Sequence, residues 1–385
     1  MYYSRLLTST IKKTFFSGKA VVIVGARQVG KTTLSKKIIA DYKKSGKTSY
    51  LFNADNPTDR DVLNNRDLEQ LKGLVADYDI ILIDEGQKIE TIGQTLKLLV
   101  DFYGATKQFI VTGSSSFHLL NMTSESLTGR KRVFNLYPLS QKEIFSSDFL
   151  TAKKNLENIL IYGTYPEVVN SESLIAKQNV LQDISSGTLY KDILEFQLIK
   201  NPAVLNNLLK ALALQVGSEV SYNELSGLLG IDNATVEKYI DLLEKSYVIF
   251  RLPPYFTNKR KEISKSKKIY FYDTGIRNAI LRNFNTLDLR NDVGALWENF
   301  LIVERLKNNE YAHRFPHTYF WRTLNQSEID YIEEINGQLS AFEFKWNPRK
   351  VRKQAPKSFL GAYPEATFES ITPENYLEFI GLSFL

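Results

Sequence analysis

Gly25-Ala26-Arg27-Gln28-Val29-Gly30-Lys31-Thr32-Thr33 follows the apolar run Ala20-Val21-Val22-Ile23-Val24 and fits G-x-x-x-x-G-K-[ST] through Thr32. The run reads as a buried strand. The two glycines let backbone N–H groups curl around a phosphate, Lys31 can reach the β and γ oxygens, and the Thr32 hydroxyl can ligate Mg²⁺. A helix starting near Lys31 and burying Leu34, Ile38 and Ile39 aims its positive end at the same phosphates. Residues 25–33 are therefore the candidate ATP-binding loop.

Asp79-Ile80-Ile81-Leu82-Ile83-Asp84-Glu85 is a second all-apolar strand, ending in two acids. Parallel sheets place their active sites at that end. Asp84 is the candidate Mg²⁺ partner, and Glu85 the candidate general base for the water that attacks the γ-phosphate. A third strand, Gln108-Phe109-Ile110-Val111-Thr112-Gly113, runs into Ser114-Ser115-Ser116. These polar residues could sit between the first two motifs, or the serines could cap a following helix, Phe117-His118-Leu119-Leu120. Downstream, Gly129-Arg130-Lys131-Arg132 places cations before Val133 to Leu139. Arg130 could reach a neighbouring subunit's γ-phosphate, or belong to a solvated basic turn.

At 385 residues the chain is long enough for two or three domains. Zero cysteines exclude disulfides and thiolate metal sites, and three scattered histidines argue against zinc. No stretch approaches the ~18 continuous apolar residues of a membrane span, and Met1-Tyr2-Tyr3-Ser4-Arg5 opens no secretory pattern. A cytoplasmic protein is expected.

The net charge of +6 is concentrated in two places. Residues 256–270 carry Lys259, Arg260, Lys261, Lys265, Lys267 and Lys268 against Glu262, and residues 345–357 carry Lys345, Arg349, Lys350, Arg352, Lys353 and Lys357 with no acid. Either stretch alone reads more readily as a solvated loop. Together they point to an acidic polymer, DNA, as partner.

Strand and helix patterns alternate to about residue 140, as an α/β domain requires. Residues from Ser140 to about Asn201 read as helical, interrupted at Tyr162-Gly163-Thr164-Tyr165-Pro166. Three apolar stripes follow: Val204, Leu205, Leu208, Leu209, Leu212; then Leu225, Leu228, Leu229; then Val236, Tyr239, Ile240, Leu243, Tyr247. Ser221 can cap the middle helix and Asp232 or Asn233 the last. Strands Val248–Leu252 and Lys268–Tyr272 complete a winged helix-turn-helix pattern. The third helix, Asp232 to Ser246, carries four acids against Lys238 and Lys245, which argues against sequence-specific reading of a major groove.

Near the C-terminus, Asn336-Gly337 separates two alternating runs, a type I′ hairpin signal. With Ile335 facing Gln338, Asp330 falls opposite Glu343 and Glu328 opposite Lys345. Ile329, Tyr331, Phe342, Phe344 and Trp346 should form the core face. Like charges with Cβ atoms ~5 Å apart repel unless a cation lies between them. A divalent metal held by Asp330 and Glu343, with Lys345 beside it, is one answer. A solvated face with a Glu328–Lys345 pair is the other. Glu298 could add a further acid.

On these anchors, together with Tyr137-Pro138-Leu139-Ser140 and Asp273-Thr274-Gly275, the chain resembles the prokaryotic AAA+-type P-loop ATPases that carry an uncharacterised C-terminal region. The resemblance spans nearly the whole chain. It implies an α/β P-loop ATPase core over 1–140, a helical lid over 141–201, a winged helix over 202–275 and a PD-(D/E)xK restriction-endonuclease-like α/β domain over 276–385. It also implies Ser114 as a γ-phosphate sensor, Arg130 as a finger acting in trans within a homo-oligomer, and Asp330, Glu343 and Lys345 as the nuclease motif with Glu298 in the helical acid position. Two functions fit: an ATP- and Mg²⁺-dependent ATPase acting on DNA, with a possible cutting site, or an ATP-controlled regulatory switch whose nuclease-like domain cuts nothing.

Overall fold

The computed structural model describes residues 1–114, 127–146, 148–188, 201–256, 267–323 and 327–382. Ser115, Ser116, the helix expected over 117–120, and Lys259, Arg260, Lys261 and Lys265 of the first basic stretch lie outside the described residues. The chain forms two compact units, Met1–Pro138 with Lys245–Tyr247, and Leu139–Glu244 with Val248–Leu385.

The first unit is built on five parallel strands: β1 (Ala20–Val24), β2 (Ser49–Asn53), β3 (Ile80–Asp84), β4 (Gln108–Gly113) and β5 (Lys131–Asn135). Their order is β2-β3-β4-β1-β5. β1 is buried at every residue, as are Ile80 to Ile83 of β3. Apolar runs of this kind are what a parallel sheet covered on both faces requires. The Lys31–Lys43 helix follows β1 and buries Leu34, Ile38 and Ile39. Because β4 lies between β3 and β1, the residues after all three strands converge on one edge of the sheet. That edge is where open α/β sheets bind ligands.

The second unit begins with short helices from Gln141–Phe145 to Leu174–Asp183. Helices Pro202–Leu214, Tyr222–Leu229 and Asn233–Lys245 then accompany an antiparallel sheet of order β6-β8-β7, where β6 is Glu219–Val220, β7 Ile249–Leu252 and β8 Lys267–Phe271. The third apolar stripe is buried as expected and so is the first apart from half-buried Val204, but Leu228 of the middle helix is 66% exposed and Leu225 alone anchors that helix in the core. Ser221 and Asp232 cap as the sequence indicates, accepting from Glu224 N and Thr235 N.

A second sheet of order β12-β11-β10-β9 follows the long Val293–Tyr311 helix, with β9 His317–Arg322, β10 Glu328–Ile335, β11 Gln338–Phe344 and β12 Thr367–Ile371. Asn336 and Gly337 both take positive φ, 52° and 81°, as a type I′ turn demands. The register is the expected one from Ile335↔Gln338 to Tyr331↔Phe342. Beyond it the expectation fails. β10 pairs with β9 as Ile329↔Trp321 but Ile332↔Tyr319, so β10 carries one extra residue, a bulge at Asp330-Tyr331. Ile329 thereby joins Ile332, Leu339 and Ala341 around Phe359, while Tyr331 packs on the opposite face with Phe342, Phe344 and Phe379. Ile329 and Tyr331 do not share a core face. No helix among the described residues is long and apolar enough to cross a membrane.

Candidate functional site

In the first unit the loop after β1 is shaped by close packing and left-handed backbone. A Cβ on Gly25 would lie 2.0 Å from the Leu136 carbonyl oxygen, so no other residue fits. Gly30, at φ 97°, starts the Lys31–Lys43 helix, and Gln28 also takes positive φ, 63°. Ala26 and Val29 are buried beneath the loop, Arg27 is half-buried, and Gln28 and Thr33 face solvent. The Lys31 ammonium is buried and donates to the carbonyls of Gly25 (2.9 Å) and Ala26 (2.8 Å). A buried ammonium must be hydrogen-bonded, and here the loop supplies the acceptors.

Thr32 Oγ1 donates to both carboxylate oxygens of Asp84 at 2.9 Å, and the Thr112 hydroxyl donates to Asp84 Oδ1. Glu85 sits at φ 53°, ψ 41°, a left-handed turn that costs a non-glycine residue on the order of 1–3 kcal/mol. Its N–H reaches Thr112 Oγ1 at 3.3 Å. Gln87 Nε2 donates to Glu85 Oε2 (2.6 Å) and to Ser114 Oγ (3.1 Å). Loop, acids and Ser114 thus meet at one sheet edge. Thr32 and Asp84 are the oxygen donors that would hold a hydrated Mg²⁺, and Lys31 the cation for the phosphates.

Arg130 does not join them. It lies just before β5, at the opposite edge of the parallel sheet, and pairs with Asp101. Residues not signalled by the motifs also contribute. Thr112 hides in an apolar strand, Gln87 lies three residues past Asp84, and Arg5 is distant in sequence. Buried Arg5 donates to Val29 O (2.7 Å) and Tyr137 O (2.6 Å), bracing the loop from behind. Only Thr112 carried a signal, a hydroxyl near the end of a strand pointing at Asp84.

In the second unit the C-terminal acids are arranged differently from the sequence expectation. Asp330, at the bulge, accepts the Phe344 N–H at 2.7 Å instead of standing in a ladder pair with Glu343. Glu343 Oε1 is ion-paired with Lys345 (2.9 Å) and Arg352 (3.4 Å). Glu328 pairs not with Lys345 but with Lys268 (2.5 Å), whose ammonium also lies 3.1 Å from Glu298 Oε1. Tyr270 donates to Glu298 at 2.6 Å. Among the described residues no group of three or more His, Asp or Glu side chains is disposed to hold a metal ion. The protein's own cations stand beside these acids, Lys268 between Glu298 and Glu328, and Lys345 with Arg352 on Glu343.

Burial alone would depress the Lys268 ammonium, but Glu298, Glu328 and Asp330 overcome it and hold it above the ordinary lysine range. Burial, reinforced by the charge of Glu298, pushes the Asp330 carboxyl up to about 7 against the pull of Lys268, Lys345 and the Phe344 N–H. A carboxyl raised on folding contributes stability that is present below its unfolded pKa near 4 and lost as pH rises through about 7. That gap corresponds to roughly 4 kcal/mol as an upper bound. Urea unfolding of the second unit should therefore lose stability between pH 4 and 7, and Asp330→Asn should flatten the slope; an unchanged slope would remove the assignment.

Residues 17–145 match the family model described as AAA domain. The first unit carries an AAA-type P-loop domain. Residues 153–287 and 293–374 match two families described as domains of unknown function, DUF8612 and DUF4143. An uncharacterized protein of Mycobacterium tuberculosis is 29% identical over 340 residues, 87% of this chain and 72% of its own. An uncharacterized protein of Methanocaldococcus jannaschii is 24% identical over 333 residues, 80% of this chain and 74% of its own. Among solved structures, AMPPCP-bound DnaA from Aquifex aeolicus covers 63% of this chain and 89% of its own at 17% identity and a TM-score of 0.32. Pif1 helicase from Candida albicans covers 48% of each chain at 12% identity and a TM-score of 0.29. Superpositions this loose carry no functional meaning.

Proposed function

We propose that the chain is a Mg²⁺-dependent ATP-binding and ATP-hydrolysing AAA+-type protein that acts on DNA without reading its sequence. The observation that carries this reading is the meeting of Lys31, Thr32, Asp84, Glu85 and Ser114 at the carboxyl edge of one parallel sheet. Lys31 and the loop amides from Gly25 to Thr33 would bind the triphosphate. Thr32 and Asp84 would orient the hydrated Mg²⁺, which when bound draws charge from the β and γ oxygens. Glu85 would take the proton of the attacking water, held in place by Gln87. Ser114, bonded to the same amide, would sense the γ-phosphate. Arg130, away from its own loop, could serve only a neighbouring copy.

For the second unit, the helix-strand-helix-helix-strand-strand order from Pro202 to Phe271 supports a winged helix over 202–275, after a helical lid over 141–201. The four-stranded sheet behind the long Val293–Tyr311 helix supports a nuclease-like domain over 276–385. Arg349, Lys350, Arg352, Lys353 and Lys357 are exposed, as a phosphate-backbone surface requires. The cations on Glu298, Glu328 and Glu343 favour the non-cutting reading for this domain.

ATP hydrolysis by the full chain, measured with and without duplex DNA at two salt concentrations, tests the proposal. Stimulation that falls at high salt, and that is lost when Arg349, Lys350 and Lys353 become alanine, is the expected result. ATPase indifferent to DNA would remove the DNA partner and leave the nucleotide-controlled switch. No ATPase at all would remove the function.

A further inference from the structure

Glu298, Asp330 and Glu343 are the carboxylates that the nuclease-like reading assigns to metal chemistry, and the structure fills their surroundings with the protein's own cations. Lys268 comes from β8 of the small sheet. Pro253–Tyr255, which continues β7, pairs with Phe320 of β9, so the small sheet runs alongside the strand next to β10. Lys268 is 2% exposed. Its ammonium bonds Glu298 at 3.1 Å and Glu328 at 2.5 Å, acts electrostatically on Asp330, and lies 5.4 Å from the centre of the Phe320 ring.

The protein's own groups crowd the carboxylates at that point. Tyr270 donates to Glu298 Oε1 from one side. Gly217 closes on it from another, where even a Cβ would stand 3.3 Å from Glu298 Oε1. On the hairpin, Lys345 and Arg352 share Glu343 Oε1. Glu343 Oε2 is buried and without a hydrogen-bond partner, but one oxygen is a small part of the octahedral sphere that Mg²⁺ completes with one or two carboxylates and several waters. A carboxylate group that already shares a buried ammonium gains little by exchanging it for a hydrated ion that must shed water.

We infer that Lys268 is a built-in counter-ion that closes the C-terminal carboxylate cluster against divalent metal, so that this unit binds but does not cut. The inference rests on the nuclease-like reading only in the choice of residues. It is independent of ATP hydrolysis, which depends on the first unit, so either can fail alone.

The test is Mn²⁺ binding by the full, nucleotide-free chain, followed by the electron-spin resonance of free Mn²⁺. An Asp84→Asn background keeps the first unit from contributing. With Lys268 present, no Asp330-dependent uptake is expected up to 1 mM, a concentration chosen as roughly the upper end of useful protein affinities. Lys268→Met should gain one bound Mn²⁺ per chain, at least about tenfold tighter than any background binding, a change of about 1.4 kcal/mol, and Asp330→Asn should abolish the gain. Uptake by the Lys268 chain that Asp330→Asn removes would overturn the inference, as would a folded Lys268→Met chain that gains nothing. If Lys268→Met does not fold, Lys268→Arg decides with the wild type. Folding restored by arginine without Mn²⁺ uptake supports a built-in cation. Folding of Lys268→Arg that requires added Mn²⁺ overturns it.

Discussion

Glu85→Gln is expected to slow ATP turnover by about 10²–10³-fold while leaving nucleotide bound, because a general base contributes on the order of 10²–10⁴-fold. The geometry separates the two effects. Glu85 is held by the Thr112 hydroxyl at its N–H and by Gln87 at its carboxylate, whereas Lys31 is held by the loop carbonyls. Glutamine keeps the size and the left-handed turn but removes the acceptor of the proton. Lys31→Ala acts on binding instead. It deletes the cation that Gly25 and Ala26 hold ready, and a loss of tight ATP binding should follow. Single-turnover hydrolysis and binding of a fluorescent ATP analogue, run on both variants, read the two steps apart. Wild-type turnover by Glu85→Gln would withdraw the base assignment and leave the acid pair to Asp84 alone.

The first unit was legible because its signals are local and redundant. An apolar run of five residues, a glycine-framed loop and an amphipathic helix follow one another within 24 residues, from Ala20 to Lys43. Each makes the next more specific. Arg5 was illegible for the opposite reason. Its carbonyl partners are 24 and 132 residues away, and an arginine near a chain start has no periodicity to betray it. Gln87 failed similarly, since an amide beside an acid pair has no motif, although it links Glu85 to Ser114.

The C-terminal hairpin shows where pattern reading breaks. Asn336-Gly337 set the register correctly over five pairs, and extrapolating one residue further placed Asp330 against Glu343. The bulge lies on the other side of β10, against β9, where no hairpin rule reaches. One extra residue turns Ile329 to the face of Ile332 and Asp330 toward the Phe344 N–H. Lys268 was visible as one cation in a basic stretch and as the first residue of an expected strand. Its burial comes from a different sheet, and charge counting along the chain treats a buried counter-ion and a solvated lysine alike.

The Asp273-Thr274-Gly275 motif and the Tyr162-Gly163-Thr164 interruption, separate in sequence, prove to be one joint within the second unit. Asn278 Nδ2 donates to the carbonyls of Leu160 and Ile161, which the end of the Leu156–Tyr162 helix leaves without a backbone partner, and Thr274 Oγ1 donates to Ile159 O, which also accepts the Gly163 N–H. Buried Asp273 caps its own helix through Ile276 N and accepts Thr164 N at 2.7 Å. Lys307 binds Thr164 Oγ1, Glu304 and the Leu139 carbonyl around the same point.

The two backbones touch, so a Cβ on Gly275 would fall 2.1 Å from Tyr162 O and 2.9 Å from Gly163 N. Neither atom belongs to a side chain that can turn away. Gly275→Ala should therefore destabilise the second unit by about 2–4 kcal/mol, the upper range for overpacking, because the joint's buried hydrogen bonds stretch with it. Gly294→Ala is the matched control: it also replaces a helical glycine, but with open space around the new methyl, and should be neutral or stabilising by up to about 1 kcal/mol. Urea unfolding of the two variants gives the comparison directly. Equal stabilities would mean that helix propensity, not the approach of two backbones, governs the motif; a large loss at Gly275 alone would make this joint the reason why glycine stands there.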